Sequence, residues 1–219
     1  DKAKIEDLAY ERGKPAIDVP HLRVYVPSQD GGLYAVDARS GEVIYRFATL
    51  GPVQCEPLYD PDEDVVYFGS TDGALYKIKA KNGELVYRFM TNAEVARRPV
   101  LDGDTLFMVN ANDTLIAIDK KSGKLKFYQH RTPAFGIEIG GYAGCVVGGG
   151  RVFTAFSDGS AMAYSTKDGA EQWPNVDLTL DAQSSTGDAP QYLDADTTPV
   201  LAKVGNTDAA LVAHYDGGI

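Results

Sequence analysis

Cysteine is scarce in this 219-residue chain: Cys55 and Cys145 are the two, and neither sits in a CxxC or any other metal-ligand spacing. Its three histidines, His21, His130 and His214, lie far apart and form no HxxxH pair, so a zinc or haem site has little raw material. Apolar runs are short, as in the stretch from Ala143 to Val147 broken by Gly144, which excludes a bilayer-spanning helix. Lysine and arginine form no cluster. With 21 basic against 31 acidic side chains the net charge is −10, and that average field repels DNA and RNA. The chain opens at Asp1 with neither an initiator methionine nor the apolar core of a signal peptide, so Asp1 reads as the start of a processed or partial protein.

What is present is an ordinary globular composition, 44% apolar and 24% charged, with enough length for one large domain or two small ones. Its main signal is internal repetition. Four stretches align: VYVPSQDGGLYAVDARSGEVIYRF from Val24, VYFGSTDGALYKIKAKNGELVYRF from Val66, LFMVNANDTLIAIDKKSGKLKFYQ from Leu106 and VFTAFSDGSAMAYSTKDGAEQWPN from Val152. Each carries an alternating apolar strand, a tight polar turn, a second alternating strand, a glycine turn and a third strand rich in aromatics. The first turns are Asp30-Gly31, Asp72-Gly73, Asn112-Asp113 and Asp158-Gly159, and the second carry Gly41, Gly83, Gly123 and Gly169. Period-two alternation, as in Leu33-Tyr34-Ala35-Val36-Asp37, means strand rather than helix.

A further strand leads into each later triplet, at residues 54–59, 97–102 and 143–148, and in two cases it holds a proline, Pro57 or Pro99, as an edge strand permits. Four antiparallel strands every forty-odd residues predict an all-β fold, a β-propeller of four-stranded antiparallel blades. A β-solenoid is the competing architecture, but its rungs are shorter than this period. The expected blades are residues 15–48, 54–91, 97–130, 143–174 and 198–219, forming one partial propeller domain over 1–219. In the fifth unit, residues 198–203 and 209–214 read as strands and Asp216-Gly217-Gly218 as their following turn. The chain therefore reads as about four blades and the start of a fifth, part of a ring of seven or eight.

Two connections break the repeat, and loops that depart from a repeat are where function concentrates. Residues 132–141, TPAFGIEIGG, place Phe135, Ile137 and Ile139 where polar turn residues belong. These side chains either tuck under their own blade or form an apolar patch for another protein. Residues 174–197 form a long connection rich in Asp, Ser and Thr. Its carboxylates Asp177, Asp181, Asp188, Asp194 and Asp196 lack the order of a calcium loop, and solvation of the loop explains them equally well.

The repeat core A-x-D-x-x-x-G, at Ala35 to Gly41 and again at Ala117 to Gly123, resembles the PQQ-type propeller repeat. That family commonly has tryptophan four residues after the glycine; here the slot holds Tyr45, Tyr87, Phe127 and Trp173, each a flat ring suited to packing between blades. Within that superfamily the chain resembles the BamB family, lipoproteins of the bacterial outer-membrane β-barrel assembly (BAM) machinery. The likeness covers the chain after about residue 15. It is carried by AEVARRPVL at 93–101, by LDADTTPV at 193–200, and by Ile137 to Gly141 where the family has L-x-L-R-G.

This resemblance implies a non-enzymatic scaffold without a cofactor or metal. The scaffold would be held at the periplasmic face of the outer membrane by a lipid anchor outside this chain. It would dock on the periplasmic POTRA region of BamA, beside other BAM subunits and unfolded outer-membrane proteins. Ile137 and Ile139 fall on the family's apolar contact positions, and Asp194 and Asp196 on its paired acidic ones. Gly140 stands where the family has arginine, with Arg97 and Arg98 as nearby basic candidates. Two other readings stay open. One is a quinoprotein dehydrogenase using PQQ and calcium, whose adjacent cysteines this chain lacks; the other is a periplasmic or extracellular sensor propeller. Cys55 and Cys145 are expected to be buried free thiols on inner strands, and Trp173 a packing residue.

Overall fold

The computed structural model describes residues 13–133, 142–178, 195 and 197–213, and no helix occurs among them. The chain divides into two compact units, Asp1–Arg98 and Pro99–Ile219. In the first, β1 (Ala16–Asp18), β2 (Arg23–Pro27), β3 (Gly32–Asp37) and β4 (Val43–Ala48) form one four-stranded sheet. A second sheet there holds β5 (Leu58–Asp60), β6 (Val65–Gly69), β7 (Ala74–Lys79) and β8 (Leu85–Met90).

The second unit repeats the pattern twice. One sheet holds β9 (Val100–Asp102), β10 (Thr105–Asn110), β11 (Thr114–Asp119) and β12 (Leu125–His130). The other holds β13 (Cys145–Gly148), β14 (Arg151–Ala155), β15 (Ser160–Ser165) and β16 (Val176–Asp177). A hairpin of β17 (Val200–Val204) and β18 (Thr207–Leu211) follows. Every pairing is antiparallel between consecutive strands, so the topology is that of repeated up-and-down meanders.

Burial explains the strand sequences. Middle strands β6 and β10 are buried along their whole length, which is why VVYFG and TLFMVN read as continuous rather than alternating runs. Outer strands β4, β8 and β12 share one alternating pattern in which every second residue is exposed. Each outer strand also carries a bulge: the register skips one residue opposite Ala35/Val36, Lys77/Ile78 and Ala117/Ile118, leaving Ile44, Val86 and Lys126 unpaired in the ladder. A bulge twists an edge away from flat pairing and so protects a free edge from association.

The A-x-D-x-x-x-G core is a turn held by its aspartate. Asp37 Oδ1 accepts from Arg39 N at 2.8 Å and Ser40 N at 3.0 Å, while Asp119 Oδ1 accepts from Ser122 N at 2.7 Å. Hydrogen bonds from Ser40 and Arg39 backbone hold the Asp37 carboxyl below the usual range. The glycine that ends the turn has a second duty. Gly83 sits at φ +73, and a Cβ there would lie 2.6 Å from Tyr45 Cδ2; Gly169 sits at φ +75, with a Cβ 2.5 Å from Phe127 Cδ2. The outer-strand aromatic of one sheet thus lies against the turn glycine of the next. Tyr45 Oη also donates to Ala80 O at 3.0 Å, which locks the ring in place.

Around that contact the first unit builds a core of Tyr25, Leu33, Val53, Val66, Phe68, Tyr76 and Ile78, with Phe47 edge-on to Phe68 at 5.7 Å. In the second unit, Ala143, Ala155, Ala161, Ala195 and Val212 form a small-residue cluster with Leu178 against it. In the fifth repeat the turn is at Gly205-Asn206, so its second strand begins at Thr207 rather than at 209. Asp216 to Gly218 lie outside the described residues.

Two glycines separate the backbone term from the ring contact. Gly41 has φ +74 but nothing within 4 Å of a Cβ, whereas Gly83 at φ +73 meets Tyr45. Gly41→Ala is expected to cost about 1–2 kcal/mol for left-handed backbone alone. Gly83→Ala should cost about 1–3 kcal/mol more through overpacking. Urea unfolding of both variants checks this, and equal costs would mean that the ring contact contributes nothing.

Candidate functional site

The connections from each outer strand to the next inner strand are tied down by a repeated pair of backbone bonds. The residue just past the outer strand donates to the hairpin turn of its own sheet. These bonds are Thr49 N to Gly31 O at 2.8 Å, Thr91 N to Gly73 O at 2.8 Å, Arg131 N to Asp113 O at 3.0 Å and Leu178 N to Gly159 O at 2.9 Å. Further on, a buried apolar residue makes the second tie: Val53 N to Ser28 O at 3.0 Å, Val95 N to Ser70 O at 3.1 Å and Ala195 N to Phe156 O at 3.4 Å.

Where the connection is short, the ties are four positions apart and a threonine hydroxyl spans them. Thr49 Oγ1 reaches Gly31 O at 2.9 Å and Gly51 O at 2.6 Å, and Thr91 Oγ1 reaches Gly73 O at 3.0 Å and Ala93 O at 2.6 Å. Between Leu178 and Ala195 the same two ties are seventeen positions apart. The long insertion is therefore spliced into a standard connection whose ends are unchanged.

Ala195-x-x-x-Pro199-Val200 is accordingly in the same frame as Val53-x-x-x-Pro57-Leu58 and Val95-x-x-x-Pro99-Val100, with all three prolines buried. The D-x-D-T-T-P-V stretch is the lead into β17, and its central alanine is an anchor with 1% exposure. Asp194 and Asp196 flank that anchor in sequence. Both lie outside the described residues, as do Ile137 and Ile139, so the geometry of these four side chains stays an expectation.

The connection holding Ile137 and Ile139 differs at its start. Arg131 takes the threonine's place, and its Nε and Nη2 lie 2.9 and 2.6 Å from Asp158 Oδ2, with the guanidinium 5.7 Å from the centre of the Phe156 ring. Asp158 Oδ1 accepts from Ser160 N at 3.0 Å, so one carboxylate serves the hairpin turn and the incoming connection together. At the far end, Gly144 N donates to Thr198 Oγ1 at 3.0 Å, and Gly144 O accepts from Thr154 Oγ1 at 3.0 Å.

Of the two basic candidates, Arg98 is exposed, with Nε 3.5 Å from Glu56 Oε1, and Arg97 O accepts from the Cys55 thiol at 3.1 Å. Cys55 and Cys145 are both free and buried. Cys145 opens β13, as expected, while Cys55 lies three residues before β5 rather than within a strand. Trp173 packs on Phe153 with ring centres 5.0 Å apart, as a packing residue does.

One group among the described residues has metal-ligand geometry: Asp18, His21 and Asp64, in the first unit. Its space is taken by Arg23, whose Nη2 lies 2.7 Å from Asp18 Oδ2 and 2.9 Å from Asp64 Oδ1. A guanidinium between two carboxylates supplies the counter-charge that a metal would bring, and the donor set does not fit a calcium cradle. Nor do Cys55 and Cys145 fit a quinone site that relies on adjacent cysteines, since they are ninety positions apart in the chain.

Sheet topology, turn chemistry and interlocking rings together define a β-propeller assembled from PQQ-type repeats. Residues 29–218 match the family profile described as outer membrane protein assembly factor BamB, and the chain belongs to that family. Among solved structures it is similar to BamB from Moraxella catarrhalis, with TM-score 0.74 and 17% identity over 94% of this chain and 60% of that one. It is also similar to quinohemoprotein alcohol dehydrogenase from Comamonas testosteroni, with TM-score 0.70 and 14% identity over 94% of this chain and 40% of the enzyme. The computationally designed Ika8 protein gives TM-score 0.67 at 12% identity, over 93% of this chain and 55% of that one. At these identities the likeness is one of fold, and the chain spans 60% of the BamB structure. No curated protein sequence matches it.

Burial pushes both thiols up to about 12. A raised thiol pKa means that the unfolded chain ionises first, so this contribution to stability is complete below about pH 8.5 and is lost as the pH rises toward the folded value. Native protein at pH 8 is expected to react with a thiol reagent only at its unfolding rate, with both cysteines titrating at once in denaturant. Rapid labelling of either thiol in the native state would contradict their burial.

Proposed function

We propose that the chain is part of a non-enzymatic docking scaffold for outer-membrane protein assembly. On this reading it works at the periplasmic face of the outer membrane, where a lipid anchor outside this chain would hold it. Its inter-blade connections bind the periplasmic POTRA region of BamA, alongside other BAM subunits and in reach of unfolded outer-membrane proteins. Membership of the BamB family carries this reading. Its support in the molecule is that two successive connections in the second unit depart from the repeat while their ends stay anchored in it.

The mode of binding follows from the residue types. Ile137 and Ile139 supply a dry apolar centre, and Asp194 and Asp196 pair with basic groups on the partner at the rim. A second reading, a PQQ- and calcium-dependent dehydrogenase, draws on the fold likeness to the Comamonas testosteroni enzyme. Arg23 within the Asp18, His21 and Asp64 cluster, the one candidate among the described residues, and the separated, buried cysteines count against it. A quinone absorbance retained after incubation with PQQ and Ca²⁺ and gel filtration would favour that alternative.

Ile137→Asp is expected to weaken binding to the BamA POTRA region by about thirtyfold, the effect of losing an anchor at an interface centre worth about 2 kcal/mol. Asp194→Ala with Asp196→Ala should mainly slow association and flatten its salt dependence. Surface plasmon resonance at two salt concentrations measures both, with circular dichroism to show that the fold is kept. Unchanged binding in both variants would remove these connections from the interface.

A further inference from the structure

A cleft of about 480 Å³ opens in the second unit between the sheet β13–β16 and the hairpin β17–β18. Its walls include Arg151, Phe153 and Trp173 from the sheet and Leu201, Asp208 and Ala210 from the hairpin. Leu201 sets the hairpin on the sheet: a Cβ on Gly148 would lie 2.3 Å from its Cδ1. Among the described residues β18 pairs with β17 alone and is largely exposed. Its counterparts β6 and β10 are paired on both edges and buried throughout.

Each of these six residues has a counterpart in the first unit. Aligning Val152 with Val24 places Arg151, Phe153 and Trp173 on Arg23, Tyr25 and Tyr45. Aligning Pro199 with Pro57 places Leu201 on Tyr59, and the ladders pair Leu201 with Ala210 as they pair Tyr59 with Val66. Asp208 then falls on Asp64, two positions before Val66.

In the first unit that seat is filled, by residues 80–83 of the second sheet. Tyr25 Oη and Tyr45 Oη both donate to Ala80 O, at 3.3 and 3.0 Å, and Ala80 is fully buried. Gly83 lies against the Tyr45 ring, and Arg23 Nη2 lies 2.9 Å from Asp64 Oδ1 beside it. Trp173 holds the slot of Tyr45 and Phe127, yet it borders a cleft where those rings meet a turn glycine. The occupant that fits is therefore a turn of the same repeat, which would cover the indole face and offer its N–H a backbone carbonyl.

We infer that the cleft is the seat of a segment of this same polypeptide following Ile219: the turn between the third and fourth strands of the fifth repeat, its glycine laid on Trp173. In the repeat frame Asp216-Gly217-Gly218-Ile219 matches Asp30-Gly31-Gly32-Leu33, so the counterpart of Gly41 falls eight positions beyond Ile219. The similar BamB structure has room for such a segment, since this chain spans 60% of it.

Hydroxyl-radical footprinting read by mass spectrometry reports on Trp173 individually, in the full-length protein and in the chain ending at Ile219. Trp173 should be oxidised severalfold more slowly in the full-length protein, and the residue eight positions beyond Ile219 should be glycine. Replacing that glycine by alanine should lower the folded-to-unfolded ratio about tenfold or more in urea, through overpacking. If that variant does not fold, Trp173→Ala should lower the melting temperature more in the full-length protein than in the chain ending at Ile219. Another residue at the glycine position, equal oxidation of Trp173 in both chains, or an equal cost of Trp173→Ala in both would overturn the assignment. Protection of Trp173 that instead develops in the chain ending at Ile219 as its concentration rises would give the cleft to a second copy, and would overturn it as well.

Discussion

An aromatic ring laid on a left-handed glycine is the contact on which this architecture depends. Tyr45 against Gly83 and Phe127 against Gly169 are the same interaction in two units of the chain. Each ring belongs to the outer strand of one sheet and each glycine to the turn of the next, so neither residue makes sense within its own repeat. Partly burying such a ring is worth about 1–2 kcal/mol, and the close approach is open only to a residue without Cβ. This explains why the slot holds a flat ring, and why Gly83 and Gly169, which meet one, have no room for a Cβ. Middle strands such as β6 and β10 are buried along their whole length, so a single meander cannot cover both of its own faces, and interlocking with the next sheet supplies part of that cover.

Because strands and turns are committed to that interlock, freedom to change lies in the connections. Their two backbone ties let a connection lengthen without moving the sheets it joins. Leu178 and Ala195 make the bonds that Thr49 and Val53 make elsewhere, with seventeen positions between them in place of four. A scaffold built this way can acquire a binding surface at little cost in stability, since a longer loop adds only slowly to the entropy of closure. Fold likeness is correspondingly uninformative about activity. BamB from Moraxella catarrhalis, a quinohemoprotein alcohol dehydrogenase and a designed protein all share this architecture.

Much of the fold was legible in the residues because its causes are local. Asp-Gly and Asn-Asp pairs mark hairpins, period-two alternation marks strands, and the spacing of Gly41, Gly83, Gly123 and Gly169 marks the repeat. What escaped was non-local. The pairing of each ring with the next repeat's glycine, the Arg131–Asp158 clamp and the Arg23 bridge from Asp18 to Asp64 join positions that no short motif links. One missed feature did leave a signal: Ala195, Val95 and Val53 each precede a proline by four positions, which placed D-x-D-T-T-P-V within the repeat frame. The second strand of the fifth repeat was placed too late because the Asp216-Gly217-Gly218 turn chemistry outweighed the plainer Gly205-Asn206.

Hydrogen exchange of the chain with and without the BamA POTRA region tests the account most directly. Protection on binding is expected in peptides spanning residues 131–144 and 174–198, with the outer strands β4, β8 and β12 unchanged. Protection confined to those outer strands, or no change anywhere at saturating POTRA concentration, would contradict it.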